Sequence, residues 1–164
     1  TPKIRTAGFE NLTLETWNQA ISVNLTGIFL LSQQIGKIMK NQKFGNIINI
    51  SSIYGIVGAD QRIYGKSGQN SAVFYAATKG AVLNLTRYLA SFWNRTGIRV
   101  NTFSPGGVEN KQDKNFVKNY SKKTMIGRMA RNDEYVGALI FLASDASSYM
   151  TGSNLIIDGG WTAW

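Results

Sequence analysis

Two short apolar runs separated by a long helical pattern constrain the fold of this chain more than any other feature. Residues 46–50 are rich in isoleucine, as expected for a strand that is buried on both faces. Residues 98–103 form a second such run, and the residues between them carry an amphipathic stripe. Strands that alternate with helices predict βαβ units, so the expected fold class is α/β with a parallel sheet.

The same patterns predict the bounds of the other elements. We expect helices near residues 13–41, 72–96 and 133–143 and strands near residues 46–50, 98–103 and 154–157. The glycine-containing residues 54–71 predict a loop between the first strand and the second helix. There is no internal repeat, low-complexity tract or linker, so residues 1–164 are predicted to form a single domain.

Four polar side chains after the first predicted strand form a set that suits proton transfer. Ser51 and Ser52 follow the strand, and Tyr75 and Lys79 are four residues apart in the next helical pattern. Residues at this spacing share one helix face. A free phenol loses its proton only well above neutral pH, and a nearby cation favours the phenolate. These parts are typical of carbonyl–alcohol interconversion with a hydride-carrying cofactor.

From Leu14 to Trp164 the chain resembles the carboxyl-terminal part of a short-chain dehydrogenase/reductase. The matching segments occur in the family's order: Val23-Asn24-Leu25-Thr26-Gly27, Ser52, Tyr75 with Lys79, Ile98-Arg99-Val100-Asn101 followed by Ser104-Pro105-Gly106-Gly107-Val108, and Asp158-Gly159-Gly160. A single Tyr-x-x-x-Lys occurs often by chance, whereas five markers in order are specific.

The resemblance implies roles for individual residues and a cofactor, which is NAD or NADP. The implied catalytic residues are Asn24, Ser52, Tyr75 and Lys79, with Tyr75 as proton donor and acceptor. The implied cofactor-binding residues are Tyr75, Lys79, Pro105, Gly106, Val108 and Asn110. No metal site is expected, since the chain has neither cysteine nor histidine.

The family's glycine-rich turn, which cradles the dinucleotide phosphates, has no counterpart before the helix that starts at Thr13. We therefore expect a truncated domain, a partial Rossmann-like doubly wound parallel sheet whose amino-terminal phosphate-binding half is absent. Two departures concern the site. Tyr75 follows Ser52 by 23 residues, where the family usually has about a dozen. Asn110 stands where the family tends to place a threonine that contacts the nicotinamide.

The formal charge of +9 has three readings. Many of the basic residues lie between residues 111 and 131, and Lys111, Lys114, Lys118 and Lys122 are spaced for one helix face. A solvated face is the common outcome, attraction of an anionic substrate is the second, and nucleic acid is the third because aromatic residues are not interleaved. No apolar run could span a bilayer, so a cytoplasmic protein without a membrane or nucleic-acid partner is expected.

The resemblance also bears on substrate and assembly. The long loop and the tail Asp158–Trp164 are similar to dehydrogenases of flagellin or surface-glycan modification by nonulosonic-acid-type sugars, so an anionic sugar or sugar nucleotide is a candidate substrate. A homodimer or homotetramer is expected on the two long helices, which carry Phe29, Leu30, Tyr88 and Trp93 off their main stripes. An epimerase or dehydratase, and an inactive fragment with a binding role, remain alternatives.

Overall fold

Three parallel strands form the sheet in this computed structural model, which describes residues 7–164. The strands are β1 (Gly45–Ile50), β2 (Ile98–Pro105) and β3 (Asn154–Ile157), and they lie in the order β1-β2-β3. β1 pairs with β2 from Gly45 opposite Ile98 to Ile50 opposite Phe103. The predicted α/β class and the parallel sheet are confirmed.

The helices are close to the predicted ranges, except the fourth (Lys114–Ser121), for which no range was predicted. They are α1 (Leu14–Ile21), α2 (Gly27–Gln42), α3 (Val73–Phe92), α4 (Lys114–Ser121) and α5 (Val136–Ala143). The first predicted helix forms one uninterrupted run of helical residues, in which a π-helical segment, Ser22–Thr26, joins α1 to α2. Short 3-10 turns occupy Phe9–Asn11, Ile53–Gly55, Gln61–Tyr64 and Asp145–Ser147.

Helices cover both faces of the sheet, as the alternation of strand side chains requires. Ile47 packs with the α3 cluster that includes Leu89 and Val100, whereas its neighbour Ile48 packs with the α5 cluster around Leu142. A buried polar chain fixes α3 on its face: Asn49 Nδ2 donates to Thr86 Oγ1 (2.9 Å), and Thr102 Oγ1 donates to the same oxygen (2.7 Å). These contacts set the position of α3 above the ends of β1 and β2.

One residue expected to lie on the oligomer face is buried within the chain. Trp93 is only 7% exposed and packs with Leu89 and Ile98. Its indole occupies the space that a Cβ on Gly36 would need, so the glycine in α2 opens a slot for it. The assignment of Trp93 to an intersubunit surface is therefore wrong.

Candidate active site

An open cleft of about 1110 Å³ lies beyond the carboxyl ends of β1 and β2. In open parallel sheets this is the edge where ligands bind. Among the predicted site residues, the cleft is lined by Asn24, Ser52, Tyr75, Pro105, Gly106 and Val108. A neighbouring cavity of about 380 Å³ lies against β1, and it is lined by Lys79 and again by Asn24. The two cavities meet at Asn24, which places all four predicted catalytic residues around one region.

The two serines after β1 have different surroundings. Ser51 is 2% exposed, and its Oγ donates to the backbone oxygen of Lys79 (2.7 Å), which ties β1 to α3. Ser52 lines the cleft, and its Oγ accepts from the backbone N–H of Tyr54 (3.2 Å). A hydroxyl that accepts this bond can still donate its own hydrogen to a ligand oxygen. The second serine is therefore the one that can contact a substrate.

Tyr75 and Lys79 lie on one face of α3, as their spacing predicts. The Nζ of Lys79 is 5.7 Å from the centroid of the Tyr75 ring and donates to the backbone oxygen of Ile50 (2.9 Å). Burial lowers the pKa of Lys79 from its ordinary value. Tyr75 is 36% exposed and borders the cleft, so its phenol is accessible while the cation stands behind it.

Asn24 lies in the π-helical segment, where the regular hydrogen-bond pattern of the helix is altered. Its Nδ2 donates to Thr78 Oγ1 (3.4 Å), and Thr78 Oγ1 donates to the backbone oxygen of Phe74 (2.7 Å). This link holds the first helical region against α3, one residue from Lys79.

The turn after β2 is held on both sides by backbone and side-chain bonds. Gly106 donates its N–H to the Ile157 oxygen (2.9 Å) and accepts from the Tyr135 hydroxyl (2.9 Å). Gly107 donates its N–H to the Tyr120 hydroxyl (2.5 Å). A Cβ at Gly106 would lie 2.9 Å from the Cα of Asp158, so only glycine fits there. Pro105 to Val108 thus present a fixed backbone wall to the cleft, which fits a flat ligand group.

Asn110 is the predicted nicotinamide contact in the segment after the Pro-Gly turn. Its side chain is exposed and does not line the cleft, while Lys111 and Gln112 do. The Asn110 backbone N–H donates to Gln112 Oε1 (2.6 Å), and the next residue, Lys111, has a left-handed φ of 56°. The nicotinamide contact of Asn110 stays a prediction.

The inserted residues between Ser52 and Tyr75 are packed into the core rather than bulging freely. Ile63 is 2% exposed and belongs to a cluster with Tyr120 and Trp161. The Tyr64 ring lies 5.3 Å from that of Phe116, and Asn119 Nδ2 donates to the Ile63 oxygen (3.3 Å). The insert and α4 therefore form one wall of the cleft.

Sequence reasoning missed the aromatic part of this wall. Tyr54 makes edge contacts with the rings of Tyr75 (6.5 Å between centroids) and Trp161 (6.4 Å), and Trp161 stacks on Tyr120 (4.3 Å). Burial raises the pKa of Tyr54, as do the neighbouring Tyr64 and Tyr120, so its phenol is a poor source of a proton-accepting oxygen. Burial likewise raises the pKa of Tyr120 to about 12. In the sequence, the only indication of a role for Tyr54 and Tyr120 is that the first lies close to Ser52 and the second follows the Pro-Gly turn.

An ion cluster joins the insert to the segment after α4. Asp60 accepts from Arg62 (2.8 Å) and pairs with Lys123 (2.5 Å), so the carboxylate bridges the insert and the segment after α4. The Arg62 guanidinium and then the Lys123 ammonium hold the pKa of the Asp60 carboxyl well below its usual range. The same carboxylate accepts from the Arg62 N–H (3.0 Å) and so starts the turn Gln61–Tyr64.

We expect Asp60→Asn to lower the melting temperature by about 2–4 °C at neutral pH, because the amide cannot balance Lys123. A carboxyl whose pKa is depressed in the folded state contributes stability above its unfolded pKa, about 3.9, and loses it as the pH falls through the folded value. The difference between wild type and variant should therefore shrink below about pH 4. Melting curves across that range test this, with the exposed Glu10→Gln as control. Equal melting temperatures at pH 7 would contradict the bridge.

Neither a candidate metal-binding cluster nor a membrane-spanning helix occurs in the part of the chain that the structure describes. No group of three or more candidate metal-ligating side chains occurs among residues 7–164. No helix in that range is long and apolar enough to cross a membrane.

Comparison with known proteins gives consistent matches over almost the whole chain. A family model described as enoyl-(acyl carrier protein) reductase matches residues 1–162. Post-translational flagellin modification protein A of Campylobacter coli is 35% identical over 143 residues, which are 87% of this chain and 56% of that protein. D-threitol dehydrogenase of Mycolicibacterium smegmatis is 36% identical over 163 residues, 96% of this chain and 59% of that protein.

A solved structure extends the similarity to three dimensions. The short chain dehydrogenase from Leptospira borgpetersenii serovar Hardjo-bovis, determined with bound NAD+, is 45% identical and superposes with a TM-score of 0.88. The match covers 95% of this chain and 60% of that one. The chain thus spans less than two thirds of the length of these relatives.

Proposed function

This chain belongs to the short-chain dehydrogenase/reductase family, and we propose that the whole protein is an oxidoreductase that interconverts a carbonyl and a secondary alcohol with NAD or NADP. One observation carries the proposal: Ser52 and Tyr75 border the same cleft at the carboxyl ends of the strands, with the Lys79 cation beside the Tyr75 ring. The relatives named as dehydrogenases, and the one solved with NAD+, support it.

Each side chain has a separate task in this reaction. Ser52 donates a hydrogen bond to the reacting oxygen of the substrate and orients it toward Tyr75. In the oxidation direction the Tyr75 phenolate takes the hydroxyl proton as the carbon–hydrogen bond breaks, which leaves a carbonyl. Lys79 favours the phenolate through its positive charge. A nicotinamide cofactor, when bound, would supply the hydride acceptor for the oxidation and the hydride donor for the reverse reaction.

In this proposal Asn24 and Lys79 return the proton to solvent. Both line the smaller cavity, and Asn24 also lines the cleft. We propose that Asn24 positions a water between the two spaces, which relays the proton from Tyr75 by way of Lys79. The Lys79 ammonium has three N–H donors, and the Ile50 oxygen takes one of them.

The cofactor would rest against the wall formed by Pro105, Gly106 and Val108, with Tyr75 and Lys79 facing it. The fixed Pro-Gly-Gly backbone offers a flat surface at the edge of the sheet where dinucleotides bind. Asn110 is not part of this proposal, since its side chain lies outside the cleft.

The substrate class that suits the cleft is a polyhydroxylated compound such as a sugar or a sugar alcohol. The opposing wall supplies uncharged hydrogen-bonding side chains from the insert and from α1: Thr16, Gln19, Ser67, Gln69, Asn70 and Ser71. Hydroxyl and amide groups bind hydroxylated substrates in either donor or acceptor orientation. The name of the D-threitol dehydrogenase relative is consistent with this class.

We also propose a homodimer or homotetramer that is built on the outer faces of α2 and α3. Phe29 and Leu30 are half exposed, and Tyr88 and Phe92 are more exposed and stack on each other (5.9 Å between centroids). Four large apolar side chains on adjacent helices form a surface that a second copy would cover.

Ser52→Ala is the direct test of the proposed reaction. We expect kcat to fall about 100-fold, because the variant loses one donor to the reacting oxygen. The assay uses the full-length protein with NAD or NADP and a panel of sugar alcohols and sugar acids, followed by nicotinamide absorbance.

Ser51→Ala is the matched control for this test. It removes a hydroxyl that bonds the Lys79 backbone oxygen, so we expect a lower melting temperature and a much smaller loss of kcat. Full turnover by Ser52→Ala would overturn the assignment of the reacting site.

A further inference from the structure

The basic residues of the segment after β2 differ in where they stand relative to the cleft. Lys114, Lys118 and Lys122 are exposed and do not line it, and Lys123 is paired with Asp60. Lys111 lines the cleft, and it is the only lysine or arginine that does so among residues 7–164. Of the basic residues in the predicted stripe, only Lys111 therefore borders the cleft in which the substrate is proposed to bind.

Two hydrogen bonds of the Gln112 side chain fix the turn that contains Lys111. Gln112 Nε2 donates to the Val108 oxygen (2.7 Å), and Gln112 Oε1 accepts from the Asn110 N–H (2.6 Å). Between these bonds Lys111 adopts a left-handed φ of 56°, a conformation that residues other than glycine rarely adopt. A turn fixed in this way keeps Lys111 among the residues that line the cleft.

Among the described residues, no carboxylate that lines the cleft forms an ion pair with Lys111. The other charged residue in the wall is Asp113, whose Oδ1 accepts from the N–H groups of Asn115 (2.9 Å) and Phe116 (3.2 Å). The Asp113 carboxylate is therefore directed at the amino terminus of α4, where its charge is favourable. No ion pair involves Lys111 among the described residues, so its ammonium is available to a ligand.

We propose that Lys111 binds an oxyanion of the substrate, a carboxylate or a phosphate, which makes the substrate a polyhydroxylated acid or phosphate rather than a neutral sugar alcohol. The inference rests on the proposed function, because it assigns the substrate of that same cleft. The reacting alcohol lies at Ser52 and Tyr75, and the anionic group lies at Lys111, so the cation fixes which carbon reaches Tyr75. A phosphate of the dinucleotide is the other oxyanion that could reach this ammonium, and binding measurements separate the two.

The experiment compares Lys111→Gln and Lys111→Arg with Lys114→Gln in the full-length protein. Lys114 is the matched control, since it lies three residues on in the same basic segment and outside the cleft. The substrates are aldonates and alditol phosphates, each paired with the neutral alditol of the same carbon chain. Initial rates give KM and kcat, and fluorescence titration gives Kd for NADH and NADPH.

Wild type should prefer the anionic member of at least one pair by about tenfold or more in kcat/KM. Lys111→Gln should raise KM for that substrate about tenfold, the loss expected for one charge-assisted hydrogen bond, with kcat nearly unchanged. Its KM for the neutral partner and its nucleotide Kd should not change. Lys111→Arg should restore most of the affinity, and Lys114→Gln should behave as wild type.

Three results would overturn the inference. Equal or better turnover of the neutral alditols, or an unchanged KM in Lys111→Gln, would leave the oxidoreductase proposal standing without an anion site. A weaker nucleotide Kd with an unchanged substrate KM would assign Lys111 to the cofactor. Absence of turnover on every pair with either nucleotide would remove the polyhydroxylated substrate class itself, and this inference with it.

Discussion

Replacement of Tyr75 by phenylalanine is expected to lower kcat by about 10³-fold, within the range for loss of a general acid–base group. The ring remains, so its edge contact with Tyr54 and its place in the cleft wall are retained. The nicotinamide nucleotide Kd should change by less than about threefold, because the phenol oxygen acts in proton transfer and most cofactor contacts lie elsewhere. Steady-state kinetics and nucleotide titration of the full-length protein measure the two quantities separately.

Tyr64→Phe is the matched control, because the sequence offers two tyrosines for the role. Tyr64 lies 12 residues after Ser52, close to the usual family distance, whereas Tyr75 lies 23 residues after it. Both rings line the cleft, but residue 68 is a glycine, so Tyr64 has no lysine four residues later. Tyr64→Phe should keep kcat within about threefold of wild type. A large loss in Tyr64→Phe with turnover preserved in Tyr75→Phe would exchange the two assignments.

Much of the fold could be predicted because its strands are buried on both faces. Such strands must be apolar at successive positions, and the run Ile47-Ile48 shows this directly, one side chain for each face of the sheet. The observed strands β1, β2 and β3 therefore begin and end within about two residues of the predicted ranges. Helix α3 ends at Phe92, earlier than predicted, because Arg95 and Gly97 take left-handed backbone angles.

The insert could not be predicted from its sequence, because short turns leave no periodic pattern. Ile63 stands among polar and glycine residues, and nothing local indicates that it is 2% exposed in a cluster with Tyr120 and Trp161. The prediction that Trp93 lies on an intersubunit surface was wrong for a related reason. Its position on the helix surface suggested exposure, but the slot above Gly36 receives the indole, and that slot exists only when α2 and α3 are packed together.

The positions of candidate-site residues could be predicted where they lie in or next to a regular strand or helix, and could not be predicted where they lie in an irregular segment. Ser52 follows a strand, and Tyr75 and Lys79 lie in a helix, so their relative placement follows from regular geometry. Asn110 and Lys111 lie in an irregular segment, where Lys111 takes a left-handed φ of 56° and no regular geometry fixes the direction of the side chains. The sequence therefore identified a basic segment but not the lysine that faces the cleft.

The largest expected loss of stability comes from Gly97→Ala, at the turn between α3 and β2. Because Gly45 and Ile98 are paired at the start of β1 and β2, the two turns that precede these strands lie side by side. Gly97 has a φ of 81°, and a Cβ there would overlap the backbone oxygen of Lys43. Backbone cannot move aside as a side chain can, and the Gly97 oxygen also accepts from the Gly45 N–H (3.1 Å). We expect a cost of about 3 kcal/mol or more, at the severe end for one substitution.

Gly68→Ala separates the overlap from the backbone angle. Gly68 has a similar φ of 72°, but a Cβ there would meet no atom within 4 Å. It should therefore cost only about 1 kcal/mol, the penalty for a left-handed alanine. Thermal melting of both variants against wild type measures the difference, and at about 2–4 °C for each kcal/mol the two melting temperatures should be well resolved. Equal melting temperatures would mean that the two turns can separate at no cost, and that the close approach of α2–β1 and α3–β2 does not contribute to stability.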